Sequence, residues 1–179
     1  MFMKRRLNII SVVLVLSASL FALEDTATQR LTLQVSDICL VNVTGSPSTL
    51  SVSASELGGE DPALSIDDTT FVQYTSIATQ GKSRLLTARW EDSSSAPSGC
   101  SLKLRATPDL GPQQGHSSGD IILSSSPQSI LSEIGSCVTG TGVSQGARLR
   151  YSLVIDDISL LQAGESKSVT IILTLTDSN

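Results

Sequence analysis

Polar and apolar side chains alternate along residues 148–155, whose sequence is RLRYSLVI. One phase holds Leu149, Tyr151, Leu153 and Ile155, and the other holds Arg148, Arg150 and Ser152. Successive side chains of a strand point to opposite faces, so this stretch predicts a strand with one buried and one solvated face. Such clean alternation is typical of antiparallel sheets.

The same alternation recurs along most of the chain. Further strands are predicted at residues 31–43 (with a break in phase at Asp37), 71–76, 85–90, 100–106, 121–123 and 169–175. Turn residues separate these segments, and Gln80-Gly81-Lys82 predicts a hairpin. Helical spacing is confined to two short candidates, Gln128–Ile134 and residues 158–163. The pattern predicts an all-β antiparallel sandwich or barrel of about seven to nine strands.

The composition excludes several classes of protein. Hydrophobic residues make up 40% of the chain and charged residues 16%, with 31 Ser, 16 Thr and a net charge of −5. A coiled coil would be dense in Glu, Lys and Leu. A protein that binds nucleic acid through a basic surface would carry a positive net charge, so no nucleic-acid partner is expected. Apolar residues spread along the whole length argue against disorder.

Residues 1–22 have the form of a secretory signal peptide. Three basic residues among the first six precede an apolar run at residues 7–16, and small residues follow as far as Ala22. That run is shorter than the ~20 residues of a membrane span, which favours a signal peptide over the alternative of an uncleaved anchor. We expect cleavage after Ala22, or alternatively after Ser19.

Cleavage would leave one exported domain over residues 23–179. Nine Lys and Arg and 17 Asp and Glu remain in it, which gives a net charge of −8. An acidic domain of this kind tends to stay soluble. We expect it in the periplasm, at the cell surface or outside the cell, without membrane contact once the signal is removed.

Export would place the three cysteines in an oxidising compartment, where thiols usually pair. Cys100 and Cys137 each begin a predicted strand after a Gly-containing turn, and we predict a disulfide between them. Cys39 lies in an apolar segment and is predicted to be a buried free thiol. A Cys39–Cys100 bridge is the alternative, because sequence alone does not fix the connectivity.

The sequence contains no residue pattern typical of a catalytic site. The single histidine, His116, lies in a polar segment that is predicted to be an exposed loop, and no serine sits in a G-x-S-x-G elbow. The glycines around Gly140 lack the spacing of a dinucleotide site, and no C-x-x-C pair suggests a metal. The acid pairs at 67–68 and 156–157 are predicted to cap turns. We therefore expect a non-catalytic protein with no cofactor and no metal.

Three segments carry a resemblance to a known family. The Leu160-Leu161-Gln162-Ala163-Gly164 turn leads into the alternating residues 168–176, and the segments at 100–104 and 134–137 precede it. Together they resemble bacterial pilin and spore-coat-U-like surface subunits. The resemblance implies an immunoglobulin-like sandwich that serves as a structural or adhesive subunit, as in a fimbrium. It also implies partners, either further copies of the chain or sister subunits, that associate by strand pairing.

Residues 26–35 are the candidate donor strand under that resemblance. Leu31, Leu33 and Val35 would supply alternating apolar side chains to an open sheet edge, which is a template for a further strand. Alternatively, residues 30–43 form the domain's own first strand. The alternative function is a secreted module that binds carbohydrate or protein through end loops. The aromatic content of 3% favours the structural role, and the sequence identifies no small-molecule ligand.

Overall fold

The computed structural model describes residues 29–45, 49–53, 55, 58–108 and 111–178. The chain falls into two units, residues 1–34 and residues 35–179. In the first unit, residues 29–34 are described and form neither helix nor strand. The predicted signal peptide and its cleavage site lie outside the described residues. All the strands of the described chain belong to the second unit.

Two antiparallel sheets make up most of the second unit. The larger sheet contains β1 (Ile38–Thr44), β4 (Ile66–Ile77), β6 (Cys100–Thr107), β8 (Asp120–Ile122), β10 (Cys137–Val138) and β11 (Ala147–Ile155). Its order is β1-β4-β11-β6-β8, and β10 also pairs with β4. The smaller sheet has the order β12-β5-β9-β7 and contains β5 (Arg84–Trp90), β7 (Gln114–Ser117), β9 (Gln128–Ile134) and β12 (Ile171–Asp177). A separate ribbon pairs β2 (Val52–Ser53) with β3 (Ala63–Leu64).

One hydrophobic core is shared by the two sheets. Its buried residues are Val72, Tyr74, Leu86, Ala88, Leu102, Leu104, Ala106, Leu123, Ile130, Leu131, Ile134, Ala147, Leu149, Leu153 and Leu175. On β5, β6 and β11 these are the residues of the predicted apolar phase. Each fully buried Leu or Ile stabilises the fold by about 1.5–3 kcal/mol relative to exposure. The prediction of an all-β sandwich is confirmed.

Short elements also follow the sequence signals. The described residues form twelve strands, and nine of them are longer than two residues, at the upper end of the predicted number. The helical candidate at 158–163 contains one 3-10 turn, Ile158–Leu160. Asp157 caps it by accepting a hydrogen bond from the Ser159 amide at 2.9 Å, and Asp67 accepts one from the Thr69 amide at the same distance. Asp157 therefore caps a turn, as predicted, whereas Asp67 makes its bond inside strand β4.

The other helical candidate is a strand. Ile130, Leu131 and Ile134 have helix-like spacing, yet Gln128–Ile134 forms β9. The pairing of β9 with β5 is irregular on both sides of Leu86, and Glu133 has a positive φ of 56°. An extra residue in a strand lets consecutive side chains point to the same face. These irregularities bury all three apolar residues, so the helical prediction is wrong.

The turn at Gly81 connects the two sheets. Lys82 donates its backbone N–H to the Thr79 carbonyl at 2.9 Å, and Gly81 has a φ of 77°, which glycine adopts without strain. The preceding strand β4 lies in the larger sheet, however, and the following strand β5 lies in the smaller one. Turn chemistry does not determine which sheet the next strand joins. The turn is present, but the predicted hairpin is wrong.

Candidate binding surfaces

The segment that carries Leu31, Leu33 and Val35 forms no strand. No regular structure occurs over residues 29–37, and β1 begins only at Ile38, just after the predicted break in phase. The three apolar side chains are 73%, 85% and 79% exposed. A single strand over residues 30–43, the alternative prediction, is therefore observed only in its second half.

In the part of the chain that the structure describes, strand β1 is bonded to another strand along one side only. Its register sets Cys39, Val41 and Val43 opposite Ser76, Tyr74 and Val72 of β4, so the two triplets share the inner face of the sheet. The β4 residues are buried, but Val41 and Val43 remain 39% and 48% exposed. The smaller sheet reaches β1 at Cys39, whose Sγ lies 3.3 Å from the Leu175 carbonyl of β12. The smaller sheet thus contacts β1 near its beginning, and Cys39, Val41 and Val43 all keep exposed surface.

Both β1 and β12 lie at the ends of their sheets. In the described residues, β1 pairs only with β4, and β12 pairs only with β5. Each of these seven-residue strands therefore has one edge to which no described strand is bonded. Unpaired backbone N–H and C=O groups along an edge can bind a further strand.

Arg84 joins four strand ends beside this edge. Its guanidinium is 2% exposed and is bonded to the Asp37 carboxylate and, at 2.7 Å, to the Ile38 carbonyl. The Asp177 carboxylate at the end of β12 lies 3.2 Å from Nε. Burial by itself lowers the pKa of Arg84, but the hydrogen bond to Asp37 and the nearby negative charges together raise it. Arg84 therefore stays charged and fixes the beginning of β1 to β4, β5 and β12.

The cysteines are not brought together in the way that the sequence predicts. Cys137 lies opposite Ser76 near the end of β4, and Cys100 lies opposite Ile155 at the end of β11. Because Ser152 of β11 lies opposite Ile66, and Ile155 lies three residues farther on, Cys100 is at the far end of the sheet, roughly 40 Å away at ~3.3 Å per residue. A disulfide requires Cα atoms within about 7 Å.

The other two cysteine pairings are also too far apart for a disulfide. Cys39 also lies opposite Ser76, so a Cys39–Cys100 bridge meets the same separation, and Cys39 and Cys137 flank β4 at roughly 10 Å, two strand spacings. All three are free thiols. The exposure of Cys39 corrects the prediction that it is buried. Burial raises the pKa of the Cys100 and Cys137 thiols, and Asp156 and Glu165 raise that of Cys100 further, which lowers their reactivity.

His116 is exposed, as predicted, but it lies on edge strand β7 and not in a loop. Its Nδ1 is 3.2 Å from the Glu133 carboxylate, and both side chains are more than 70% exposed. Within the described ranges, no group of three or more His, Cys, Asp or Glu residues is arranged to hold a metal ion.

A basic outer surface was missed in the sequence. Lys103 and Arg105 of β6 and Arg148 and Arg150 of β11 occupy the polar phases of adjacent strands. Their alternation with apolar residues predicts that they face solvent. Only the strand order shows that they form one surface, because β6 and β11 lie about forty residues apart in the sequence.

Comparisons with known proteins give no relative. No family model matches the chain, and no curated protein and no solved structure matches it significantly. In the described part of the chain, no helix combines the length and the apolar character that a membrane crossing requires.

Proposed function

We propose that this protein is a non-catalytic, exported structural or adhesive subunit of the cell surface that associates by strand pairing. The observation that carries the proposal is the exposed alternating series Leu31, Leu33 and Val35, together with an edge of β12 to which no described strand is bonded. The partner is a second copy of this chain or a sister subunit. Residues 1–22 supply the export signal, and the immunoglobulin-like form of the sandwich belongs to the same proposal.

The proposed donor segment, residues 26–35, has the residue pattern of a strand, but its described part, residues 29–35, is paired with no sheet. Its three apolar side chains are spaced two apart, so they lie on one face of an extended chain. Fully burying a side chain of this size contributes about 1.5–3 kcal/mol, and a paired backbone adds hydrogen bonds. Contiguous exposed apolar residues of this kind are typical of association sites.

The acceptor edge is on β12. The ordered path of the larger sheet has five strands and the smaller sheet has four. A further strand beside β12 would extend the smaller sheet over the inner face of β1, where Val41 and Val43 are partly exposed. Its apolar face would then cover these two valines. One added strand would thus bond the unpaired backbone groups of the β12 edge and cover the exposed inner face of β1.

The donor is tested by sedimentation of purified protein over a wide range of concentration. We expect the parent to associate and the double variant Leu31→Asp/Leu33→Asp to remain monomeric with an unchanged melting temperature. The matched control is Thr32→Asp/Gln34→Asp, which adds the same charges on the opposite phase and should associate like the parent. A parent that stays monomeric, or a Leu31→Asp/Leu33→Asp variant that associates normally, contradicts the proposal.

The acceptor is tested in the same assay. Val43→Lys places a charge on the open inner face of β1 and should prevent association. Leu40→Lys places the same charge on the outer face of the same strand and should leave association intact. Equal behaviour of these two variants would rule out an acceptor edge beside β12.

A further inference from the structure

The positive charge of this acidic chain is concentrated on one outer surface. Nine of its Lys and Arg residues follow residue 22, and four of these (Lys103, Arg105, Arg148 and Arg150) lie on the adjacent strands β6 and β11. The side chains between them, including Leu104 and Leu149, are fully buried. The four cations therefore lie on the solvent face of the larger sheet, which we call the basic face.

Two arginines of the basic face are direct cross-strand neighbours. The register sets Arg150 opposite Arg105, and like charges at such positions destabilise a sheet. Arg150 forms no ion pair with any described residue. Within the described residues no carboxylate pairs with Arg150, so a bound anion would offset its repulsion with Arg105.

The carboxylates nearby offset only part of the charge. Asp120 lies 3.2 Å from Lys103 Nζ and 3.8 Å from an Arg105 nitrogen, and Asp68 lies 3.9 Å from an Arg148 nitrogen. Four cations and two carboxylates leave a local charge of about +2, in a chain whose net charge is −5.

A cleft lies beside these arginines. It has a volume of about 410 Å³, and its walls include Asp68, Phe71, Arg105, Thr107, Arg148 and Arg150. A smaller hollow of about 90 Å³ is also lined by Arg105 and Arg150. The Arg148 guanidinium lies 5.6 Å from the centre of the Phe71 ring, a cation–π contact that helps to orient it. The larger volume lies within the range of small-ligand sites.

We propose that the basic face binds an acidic saccharide, whose sulfate or carboxylate group is held among Arg105, Arg148 and Arg150. A guanidinium presents a planar pair of donors that matches an oxyanion. Thr107 and Asp68 in the cleft can donate to and accept from sugar hydroxyls. The two carboxylates and the negative net charge disfavour a densely charged polymer such as a nucleic acid. The site lies on the sheet face and is bounded at one end by Pro108 and Ser144 of the adjoining loops.

The proposal is tested by calorimetric titration of the purified protein with four probes: a κ-carrageenan oligosaccharide, which carries sulfate but no carboxylate, a carboxylated oligogalacturonate, neutral dextran and single-stranded DNA. Binding of either acidic saccharide supports the proposal, and the preference between them identifies the oxyanion. Equal binding of dextran, tighter binding of DNA, or no binding of either acidic saccharide overturns it.

The site is located with two double variants. Arg105→Ala/Arg150→Ala should weaken saccharide binding by at least about tenfold and leave the melting temperature unchanged or raised, because it removes a repulsive pair. Lys82→Ala/Arg89→Ala removes the same charge elsewhere and should bind like the parent. Equal affinities of the two double variants overturn the assignment. The Leu31→Asp/Leu33→Asp variant should still bind saccharide, so failure of the binding site is distinguishable from failure of strand pairing.

Discussion

The central strands β6 and β11 and the segment at residues 31–43 have the same alternating sequence but different surroundings. In the centre, the apolar phase is covered, and Leu104 and Leu149 have no exposed surface. In the segment, Leu33 projects into solvent and Val43 is half-exposed. Alternation therefore shows that a strand face is suited to burial. It does not show that the covering surface belongs to the same chain.

The difference follows from strand position. Strands β6 and β11 each have a bonded neighbour on both sides, and core residues of the smaller sheet pack against their inner faces. Among the described strands, β1 has one bonded neighbour, and the smaller sheet contacts it near Cys39. Residues 29–37 join no sheet.

The largest expected effect separates these two regions directly. Leu104→Ala should lower the free energy of unfolding by about 2–5 kcal/mol, because it leaves a cavity in a packed core. Leu33→Ala should change it by less than about 0.5 kcal/mol, since the side chain is already in water. Urea unfolding at a concentration where the protein is monomeric measures both. A comparable loss for Leu33→Ala would mean that the segment is packed in the native monomer.

Arg84 marks the border between the two regions and gives the next largest effect. Arg84→Met keeps much of the side-chain volume but removes the hydrogen bonds to Asp37 and Ile38, and should cost about 2–3 kcal/mol in unfolding free energy. Arg89→Met is the control. Its exposed pair with Asp92 should contribute no more than about 1 kcal/mol. If the two variants lose the same stability in urea unfolding, Arg84 does not anchor β1.

The strands of the centre could be predicted from sequence because their patterns are regular. The apolar residues of β6, and those of β11 apart from Val154, occupy every second position, so period two identifies strand and buried face together. Strand β9 could not be identified in this way, since its irregular pairing places Ile130 and Leu131 on the same face. The change of sheet after Gly81 could not be predicted from the sequence either, because the turn has the same residues whether the next strand pairs with β4 or joins the other sheet.

The candidate sites depend on strand order, which the sequence does not contain. The separation of Cys100 from Cys137 follows from the antiparallel register of β4 and β11. The neighbouring positions of Arg105 and Arg150 follow from the pairing of β6 with β11. The end of the segment before β1 could be predicted from the sequence, since Asp37 interrupts the alternation between Val35 and Cys39. The exposure of Leu31, Leu33 and Val35 could not be predicted, because strand order decides which apolar faces are covered.

The smallest expected effect concerns a surface contact of the sandwich. Glu165 accepts a hydrogen bond from the Ser98 amide at 3.0 Å and joins the turn before β6 to the loop before β12. That bond lowers the pKa of Glu165 below its ordinary value of 4.5, with a smaller contribution from Lys167. The folded state thus binds the proton less readily than the unfolded chain. The stabilisation is complete above pH 4.5 and is lost as the pH falls through the lowered pKa.

Glu165→Gln should therefore lower the melting temperature slightly near neutral pH, and the difference from the parent should shrink or vanish at about pH 3. Thermal unfolding of the variant and the parent at both pH values measures this difference in melting temperature. Glu60→Gln, at an exposed position, is the matched control and should follow the parent at both. A deficit that persists undiminished in acid would show that the Glu165 side chain acts through packing and not through its charge. If the expected result is obtained, this contact at the surface contributes to the stability of the sandwich, whereas the exposed and more apolar side chain of Leu33 does not.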